Sequence, residues 1–369
     1  GAQRKGMVIN MKITFIIGSM SSGGAERVIS VLSNELSHRG YEVSIIMFRE
    51  SEEESYYLNE SIDQIILTNK NISRGKRLLL LPILLLKEMK RQNANVYVSF
   101  CIFENVLSCF CNLALRKNLI ISERNAPKHE KMSVVFKVMR KILYPTAKGI
   151  VFQTNEAMSS CSKQLQRKGI VIANPIKEGL PTKENYGLNY TIAAVGRLCE
   201  QKNYPMLFTA FRKFVDKHPE YTLLVFGHGE LENELKELTR KMKLEHNIVF
   251  KGFCSNVHQQ LVNTDVYVLS SDYEGMPNSL MEAMAIGLPV ISTDCPSGGP
   301  RELVANEVDG FLIQTGNDSQ LFSKLDMLID DEELRKKVGN NARKVRNLYS
   351  KEEIVASWEK YILRIQGGE

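Results

Sequence analysis

The sequence predicts an α/β protein that is built from parallel βαβ units. An apolar strand at 266–269, a polar loop, a helix that starts at Pro277 and a second buried strand at 289–292 form one such unit. A similar unit opens the chain, with a strand at 12–17, a glycine-rich loop, a helix from Ala25 and a strand at 42–48. The 369 residues are enough for two α/β domains.

The composition is that of an ordinary soluble protein from a reducing compartment. Hydrophobic residues make up 43% and charged residues 24%, and the net charge of +6 suits anionic partners without demanding nucleic acid. The seven cysteines include no C-x-x-C pair, which argues against a disulfide framework or a zinc site. The cysteine usage therefore predicts a reducing cytoplasm, and we expect no signal peptide. The longest aliphatic run, at 78–86, is too short to span a bilayer.

Two carboxylates stand beside the start of the helix in the central βαβ unit. Glu274 lies on the loop before the helix, and Glu282 follows eight positions later, within two turns of the helix start. A helix N-terminus attracts phosphate, so a ligand with a diphosphate at that end could present one hydroxylated ring to each carboxylate. A lone Glu is more often a solvated residue, but the neighbours of Glu282 at 280–286 are apolar, and a carboxylate among them needs a partner.

These residues resemble the signature of the retaining glycosyltransferases of family 4. The resemblance rests on the E-G-x-P spacing at 274–277, the second Glu eight positions later and A-x-G-x-P-V-I-x-T at 285–293. It implies the GT-B fold, with two Rossmann-like domains whose parallel sheets face each other across a cleft. We expect a first domain at 11–175, a linker at 177–189 within a second domain at 176–350, and a C-terminal helix at 351–366 that packs back on the first domain.

The resemblance also implies an activity and a set of site residues. A hexose or an N-acetylhexosamine would move from a UDP-sugar to a hydroxyl of a glycan, with retention and without a metal or another cofactor. Arg197 and Lys202 in G-R-L-x-x-x-K-N would neutralise the leaving diphosphate. Glu274 would bind the donor sugar, without acting as a covalent nucleophile, and Glu282 would bind the ribose. The other expected donor-binding residues are Gly23, Gly24, Gly196, Gly227, Gly229, Phe253, Gly275, Met276, Pro277, Asn278 and Ser279.

Two basic stretches, at 70–92 and 131–148, indicate the acceptor side. Each has an apolar centre and basic residues, which is typical of a helix on an anionic membrane surface, although a helix packed on its own sheet remains open. Many relatives use polyprenyl-linked acceptors, so we expect a peripheral protein on the inner face of the plasma membrane. Relatives often carry His near Arg124, and an arginine there would bind a phosphate or a hydroxyl rather than act as a base. Pro82 would kink the helix of the first stretch or mark a second helix start. The strands at 96–100 and 119–122 each end in a polar loop, at 101–105 and 123–127. The expected acceptor-side residues are Arg74, Arg77, Arg124 and Asn125.

Two other functions remain open from the sequence. A sugar-nucleotide epimerase shares the GT-B architecture but needs no acceptor, and a non-enzymatic nucleotide-sugar-binding protein would show no turnover. We expect His228 to be a turn residue rather than a catalyst. The C-P-S-G-G-P-R-E-L loop at 295–303 resembles enzymes of bacterial surface-glycan and lipid-linked oligosaccharide synthesis, which favours UDP-galactose, UDP-GalNAc or UDP-GlcNAc.

Overall fold

The computed structural model describes residues 11–21, 23–51, 56–69, 72–124, 133–296 and 298–368. The chain divides into two compact units, of which the first comprises Gly1–Pro175 and Lys351–Glu369 and the second Ile176–Ser350. Asn125 lies outside the described residues, and so does the side chain of Arg74.

The first unit is built on a seven-stranded parallel sheet. The strand at 12–17 pairs with a neighbour on each side, so that Phe15 lies beside Ile45 on one strand and beside Val98 on another. These apolar runs are buried, as expected for parallel strands that helices cover. The strands are β1 (Lys12–Ile17), β2 (Glu42–Met47), β3 (Asp63–Ile66), β4 (Val96–Phe100), β5 (Asn118–Ser122), β6 (Gly149–Phe152) and β7 (Gly169–Val171), in the order β3-β2-β1-β4-β5-β6-β7. The helices are α1 (Gly24–His38), α2 (Arg74–Gln92), α3 (Ile102–Leu115), α4 (Val134–Leu143), α5 (Asn155–Ser159) and α6 (Lys163–Arg167).

Two local expectations for the first unit are wrong. The residues at 101–105 read as a polar loop, but α3 begins at Ile102, directly after Cys101. Cys101 turns the chain between β4 and α3 with φ 73° and ψ 155°, a backbone region that is almost confined to glycine. Pro82 does not mark a second helix start, because it lies inside the continuous helix α2, and a kink at Pro82 stays a prediction.

The second unit is built on a six-stranded parallel sheet. Its strands are β8 (Thr191–Val195), β9 (Thr222–Phe226), β10 (Ile248–Gly252), β11 (Val266–Leu269), β12 (Val290–Thr293) and β13 (Phe311–Ile313), in the order β10-β9-β8-β11-β12-β13. Its helices are α7 (Tyr204–Lys217), α8 (Glu232–Lys241), α9 (Val257–Leu261), α10 (Asn278–Ile286), α11 (Gly299–Leu303), α12 (Asp318–Asp330), α13 (Glu332–Ala342) and α14 (Val345–Leu348). The sheet shares one hydrophobic core with α7, α8, α12 and α13.

The segment at 177–189 is part of the second unit rather than a free linker. The backbone N–H of Lys183 donates to the carbonyl of Ile286, and the hydroxyl of Tyr186 donates to the carbonyl of Gly287 at 2.9 Å. Both side chains are buried. The polar composition that suggested a linker therefore belongs to a strap that is hydrogen-bonded to the end of α10.

The C-terminal helix α15 (Lys351–Gly367) completes the first unit. Trp358 is fully buried, and its ring stacks on Phe100 at a centroid distance of 5.6 Å. The hydroxyl of Tyr361 accepts the N–H of Ile150 at 2.9 Å and donates to the carbonyl of Lys168 at 2.6 Å. These contacts attach α15 to strands β4 and β6.

Each sheet has one point where the strand order reverses. In the first unit this point lies between β1 and β4, and in the second unit it lies between β8 and β11. Open α/β sheets bind ligands at the carboxyl ends of the strands that flank such a point. The loops after β1, β4, β8 and β11 are therefore where functional residues are expected.

Candidate functional site

In the second unit, the loops after β8 and β11 are hydrogen-bonded to each other. The first loop covers 196–203 and the second 270–277. Asn203 Nδ2 donates to Asp272 Oδ1 at 2.7 Å, and the N–H of Asp272 donates to the carbonyl of Gln201 at 2.8 Å. The two loops thus form one continuous surface at the switch point of the sheet.

Two of the residues predicted to be catalytic meet on this surface. Lys202 Nζ lies 2.5 Å from Glu274 Oε1, and their side chains are only 15% and 8% exposed. The same oxygen accepts a hydrogen bond from Ser271 Oγ at 2.6 Å, and Oε2 accepts one from Gln201 Nε2 at 3.3 Å. A carboxylate that is this well held keeps one orientation, as recognition of a ligand requires.

The third residue predicted to be catalytic, Arg197, lies on the same loop as Lys202 but is exposed. Within the described part of the chain, its guanidinium makes no hydrogen bond or ion pair. The loop therefore carries one cation that is already paired with a carboxylate and one that is free to meet an anion.

Three of the predicted glycines allow the loops after β8 and β9 to approach closely. The side chain of Lys202 lies over Gly196, where an added Cβ would be 2.9 Å from Lys202 Cε. At Gly227, which has φ +129°, a Cβ would lie 2.1 Å from the carbonyl oxygen of Gly196. At Gly229 it would lie 2.2 Å from the carbonyl oxygen of Leu198. A larger residue at Gly227 or Gly229 would push the Arg197 loop out of place.

The predicted residues at 275–279 lie at the N-terminus of α10. Pro277 is the N-cap residue rather than the first residue of the helix, which begins at Asn278. The loop after β12 also reaches this point, since a Cβ on Gly299 would lie 1.6 Å from the carbonyl oxygen of Gly275. The loops after β11 and β12 thus meet beside the N-terminus of α10, which follows the carboxyl end of β11 at the switch point.

Glu282 is buried inside α10, among residues that are apolar and buried, as expected. Its Oε2 lies 2.8 Å from His258 Nε2 on α9. Ser279, one turn earlier, accepts a hydrogen bond from the hydroxyl of Tyr267 at 2.9 Å. His258 was missed by the sequence reasoning, because nothing in its V-H-Q-Q-L context marks it as different from a surface histidine.

Phe253 follows β10 and exposes 74% of its surface. Its N–H donates to His228 Nε2 at 2.9 Å, so that nitrogen carries no proton, and Nδ1 donates to Glu232 at 3.1 Å. His228 is therefore a turn residue that links the loop after β9 to the loop after β10. It holds the backbone that carries an exposed aromatic ring, a surface suited to stacking on a base.

In the first unit, two acidic residues flank the glycine-rich loop after β1. Gly23 is the N-cap residue of α1 and Gly24 its first residue, and a Cβ on Gly23 would lie 2.3 Å from Glu26 Oε2. Glu104 on α3 lies against Gly18, whose Cβ would be 2.6 Å from Glu104 Oε1. Burial raises the pKa of Glu26 and raises the pKa of Glu104 to about 7, with a contribution from repulsion by Glu26. Glu104 was missed because its stretch read as a loop.

Arg124 follows β5 and is only 7% exposed. Its Nη1 donates to Asn174 Oδ1 at 2.7 Å, and its guanidinium lies 4.5 Å from the ring centre of Phe100 and 5.7 Å from that of Trp358. Burial lowers its pKa to about 9. Its Nε and Nη2 have no hydrogen-bond partner among the described residues. The neighbouring acceptor-side residue, Asn125, lies outside the described residues.

In the first unit, α3 packs against both α2 and α4, and the exposed apolar side chains of these three helices are named here the α2–α4 face. The inner side of α2 is buried in the core of the first unit, although other side chains of the same helix are apolar and exposed. The exposed apolar residues are Leu78, Leu79, Leu80, Ile83, Phe110, Leu113, Val134, Val135, Val138 and Ile142. The exposed basic residues on these helices and at the end of α3 are Lys76, Lys87, Lys90, Arg91, Arg116, Lys137 and Lys141. Arg77 is half-buried, and its Nη2 donates to the carbonyl of Ile72 at 3.1 Å.

No helix among the described residues is long and apolar enough to cross a membrane. Also within the described residues, the side chains of His218, Asp326 and Asp330 lie close enough together to hold one metal ion. Lys217 Nζ lies 2.6 Å from Asp326 and 3.5 Å from Asp330, so a cation already accompanies this group. The group lies at the C-terminal end of α7, whereas the loop at 196–203 precedes the other end of that helix.

Comparison with known proteins relates both units to one class of enzyme. Residues 173–345 match the family described as "Glycosyl transferases group 1". The chain is 27% identical to a Campylobacter jejuni GalNAc-alpha-(1->4)-GalNAc-alpha-(1->3)-diNAcBac-PP-undecaprenol alpha-1,4-N-acetyl-D-galactosaminyltransferase, over 96% of this chain and 99% of that protein. It is 28% identical to a second C. jejuni enzyme, N-acetylgalactosamine-N,N'-diacetylbacillosaminyl-diphospho-undecaprenol 4-alpha-N-acetylgalactosaminyltransferase, over 95% of this chain and 99% of that protein.

Among solved structures, Anabaena HepE in complex with UDP and glucose has a similar fold. Its TM-score is 0.80 at 19% sequence identity, and the match covers 95% of this chain and 99% of HepE. At this identity the likeness concerns the fold alone.

Proposed function

We propose that this chain, a glycosyltransferase with the GT-B fold that resembles the family 4 enzymes, moves an N-acetylhexosamine or a hexose from a UDP-sugar to a hydroxyl of a lipid-linked glycan. The observation that carries the proposal is the buried pair of Lys202 and Glu274 at the switch point of the second sheet. The names of the C. jejuni relatives describe transfer of N-acetylgalactosamine to undecaprenyl diphosphate-linked glycans, which supports this class of acceptor. The HepE complex supports a uridine nucleotide as the donor.

The donor would lie along the carboxyl edge of the second sheet. Its diphosphate would meet the N-terminus of α10, where the positive end of the helix dipole favours a negative charge. Glu274, which Lys202 and its neighbours hold in one orientation, would accept hydrogen bonds from the hydroxyls of the sugar. Glu282 would do the same for the ribose, and the exposed ring of Phe253 would contact the base.

Transfer breaks the bond between the anomeric carbon and the β-phosphate oxygen, and the electron pair leaves with UDP. The acceptor oxygen forms the new bond on the same face of the sugar, and its proton passes to the leaving phosphate oxygen. The charge that develops on the diphosphate would be stabilised by Arg197 and by the N–H groups of Lys202 that do not point at Glu274. Because these cations and the helix N-terminus meet the phosphates, we propose that the reaction needs no metal ion.

A thermal-shift panel of nucleoside diphosphates and their sugars tests the donor and the absence of a metal. Ligand at about 100 times its Kd stabilises the folded chain by about 2.7 kcal/mol, so UDP and one UDP-sugar should raise the Tm by several degrees. The shift should survive EDTA, and Glu282→Gln, which removes the proposed ribose contact, should reduce it. No shift with any nucleotide would refute the donor site, and a shift that EDTA abolishes would refute metal independence.

For the first unit, we propose that the α2–α4 face lies on an anionic membrane surface. Apolar side chains such as Leu79 and Val134 are 78% and 76% exposed, and the same helices carry exposed lysines. Basic residues beside an apolar helix surface are attracted to anionic headgroups while the apolar side chains enter the interface. This position would give the enzyme access to a polyprenyl-linked acceptor at the inner face of the membrane.

Replacing Lys76, Lys137 and Lys141 together by serine should weaken binding to vesicles that contain phosphatidylglycerol. Each basic residue near the surface contributes about 1 kcal/mol, so the triple variant should bind about 100-fold more weakly at low salt. The difference should shrink in 0.5 M NaCl, because salt screens charges on the surface. Co-sedimentation with vesicles measures both effects.

A matched control removes three exposed lysines from the second unit, Lys241, Lys336 and Lys337. This control lowers the net charge by the same amount and should leave vesicle binding nearly unchanged. Equal losses in the two triple variants would mean that the net charge alone drives binding, and the α2–α4 face would then have no special part in it.

A further inference from the structure

His258 is the feature of the second unit that the proposed reaction does not yet use. Its Nε2 lies 2.8 Å from Oε2 of Glu282, and both side chains are 12% exposed. We infer that His258 is a positioning residue that orients Glu282 for the ribose of the nucleotide donor. The inference rests on the proposed function, in which Glu282 binds that ribose.

The fold holds His258 in place from both sides. It is the second residue of α9, which packs against α10. The connection before α9 is hydrogen-bonded to the helix, since Gln260 Nε2 donates to Cys254 Sγ at 2.9 Å and Cys254 Sγ donates to Asn256 at 2.8 Å. The imidazole is therefore presented to α10 by a short helix whose start is fixed.

The hydrogen bond has a defined direction. A carboxylate only accepts hydrogen bonds, so Nε2 of His258 carries a hydrogen and donates a hydrogen bond to Glu282. A hydrogen bond to a charged group is stronger than a neutral one, and this pair is largely shielded from water. It restrains the orientation of the carboxylate from the side of α9. A ligand that meets an oriented carboxylate does not have to order it on binding.

A structural role for the same contact makes a different prediction. Any buried carboxylate needs a partner, so His258 would stabilise the fold even if Glu282 met no ligand. A merely structural pair would affect every nucleotide equally. A positioning pair would affect only nucleotides that have ribose hydroxyls for Glu282 to bind. The discrimination between UDP and 2′,3′-dideoxy-UDP separates these cases.

We compare His258→Leu, which lacks the N–H donor, with His258→Gln, whose amide nitrogen takes the place of Nε2. Calorimetry gives the Kd of UDP and of 2′,3′-dideoxy-UDP for the full chain and both variants. Hydrogen bonds to a charged group contribute about 1.5–3 kcal/mol, so the wild type should prefer UDP by about 10- to 100-fold. His258→Leu should reduce this preference to about threefold or less, and His258→Gln should keep most of it.

Three outcomes overturn the inference, and each has its own cause. If His258→Leu weakens both nucleotides by the same factor, the contact is structural only. If the wild type binds both nucleotides equally well, Glu282 does not bind the ribose. If the wild type binds neither, the proposed function itself fails. Should His258→Leu not fold, His258→Asn takes its place, because its shorter amide does not reach Glu282.

Discussion

Replacing Lys202 by methionine should lower kcat by about 10²- to 10³-fold, the loss that follows removal of one preorganised group that stabilises charge in a transition state. Lys202 lies on the loop after β8 and contacts Glu274 at 2.5 Å, so it is fixed before any ligand arrives. Methionine keeps the length and the apolar stem of the side chain, including its packing over Gly196, and removes only the charge. The KM of the donor should change less than kcat, because charge on the diphosphate grows as the bond breaks.

Steady-state kinetics with the UDP-sugar identified by thermal shift measures this effect. The matched control is Lys236→Met, which removes an ion pair of 2.6 Å with Glu232 on the exposed side of α8 in the same unit. An exposed i,i+4 pair contributes little, so this variant should keep its kcat. A kcat for Lys202→Met within twofold of the wild type would show that Lys202 only supports Glu274.

Loss of stability has to be separated from loss of catalysis in this experiment. Without Lys202, the carboxylate of Glu274 stays buried beside Ser271 and without its cation, which destabilises the fold. The double variant Lys202→Met, Glu274→Gln removes that uncompensated charge and should regain most of the lost Tm. It should not regain turnover, since both groups act on the donor. Recovery of turnover together with Tm would place the whole effect in folding.

The fold of the second unit and the position of its main site residues could be predicted from the sequence. Lys202 and Glu274 are 72 positions apart, yet each follows an apolar strand, and the topology joins the ends of β8 and β11 at the switch point. The GT-B fold implied by the family resemblance is confirmed by the likeness to HepE over 95% of the chain. Sequence motifs predict these residues because the residues lie on loops directly after strands, and the motifs include the ends of those strands.

The residues that sequence reasoning missed act through tertiary contacts. His258 lies 24 positions before Glu282, and only the packing of α9 on α10 brings the two together. Glu104 was missed because the sequence at 101–105 predicts a polar loop instead of the start of α3. The helix starts there because Cys101 makes a sharp turn, in a backbone conformation that a cysteine rarely adopts. The burial of Arg124 depends on Trp358, more than 200 positions away. The roles assigned to the predicted site residues stay predictions until the variants are measured.

Replacing Trp358 by alanine should have the largest effect on stability, a loss of about 3–5 kcal/mol from the first unit. Trp358 is fully buried on α15 and stacks on Phe100, and its ring lies 5.7 Å from the guanidinium of Arg124. Its removal leaves a cavity and takes one aromatic face from a buried cation. Leu363→Ala, at a 42% exposed position on the same helix, is the control and should cost well under 1 kcal/mol.

Urea unfolding measures the loss, and UDP identifies the unit in which it occurs. The two units need not unfold together, so two transitions are expected, and UDP should move the one that belongs to the second unit. Because α15 packs in the first unit, Trp358→Ala should lower the midpoint of the other transition and leave the UDP-sensitive one in place. A shift of the UDP-sensitive transition alone would mean that α15 stabilises the donor-binding unit in solution. A loss below 1 kcal/mol would mean that α15 is not needed for the first core.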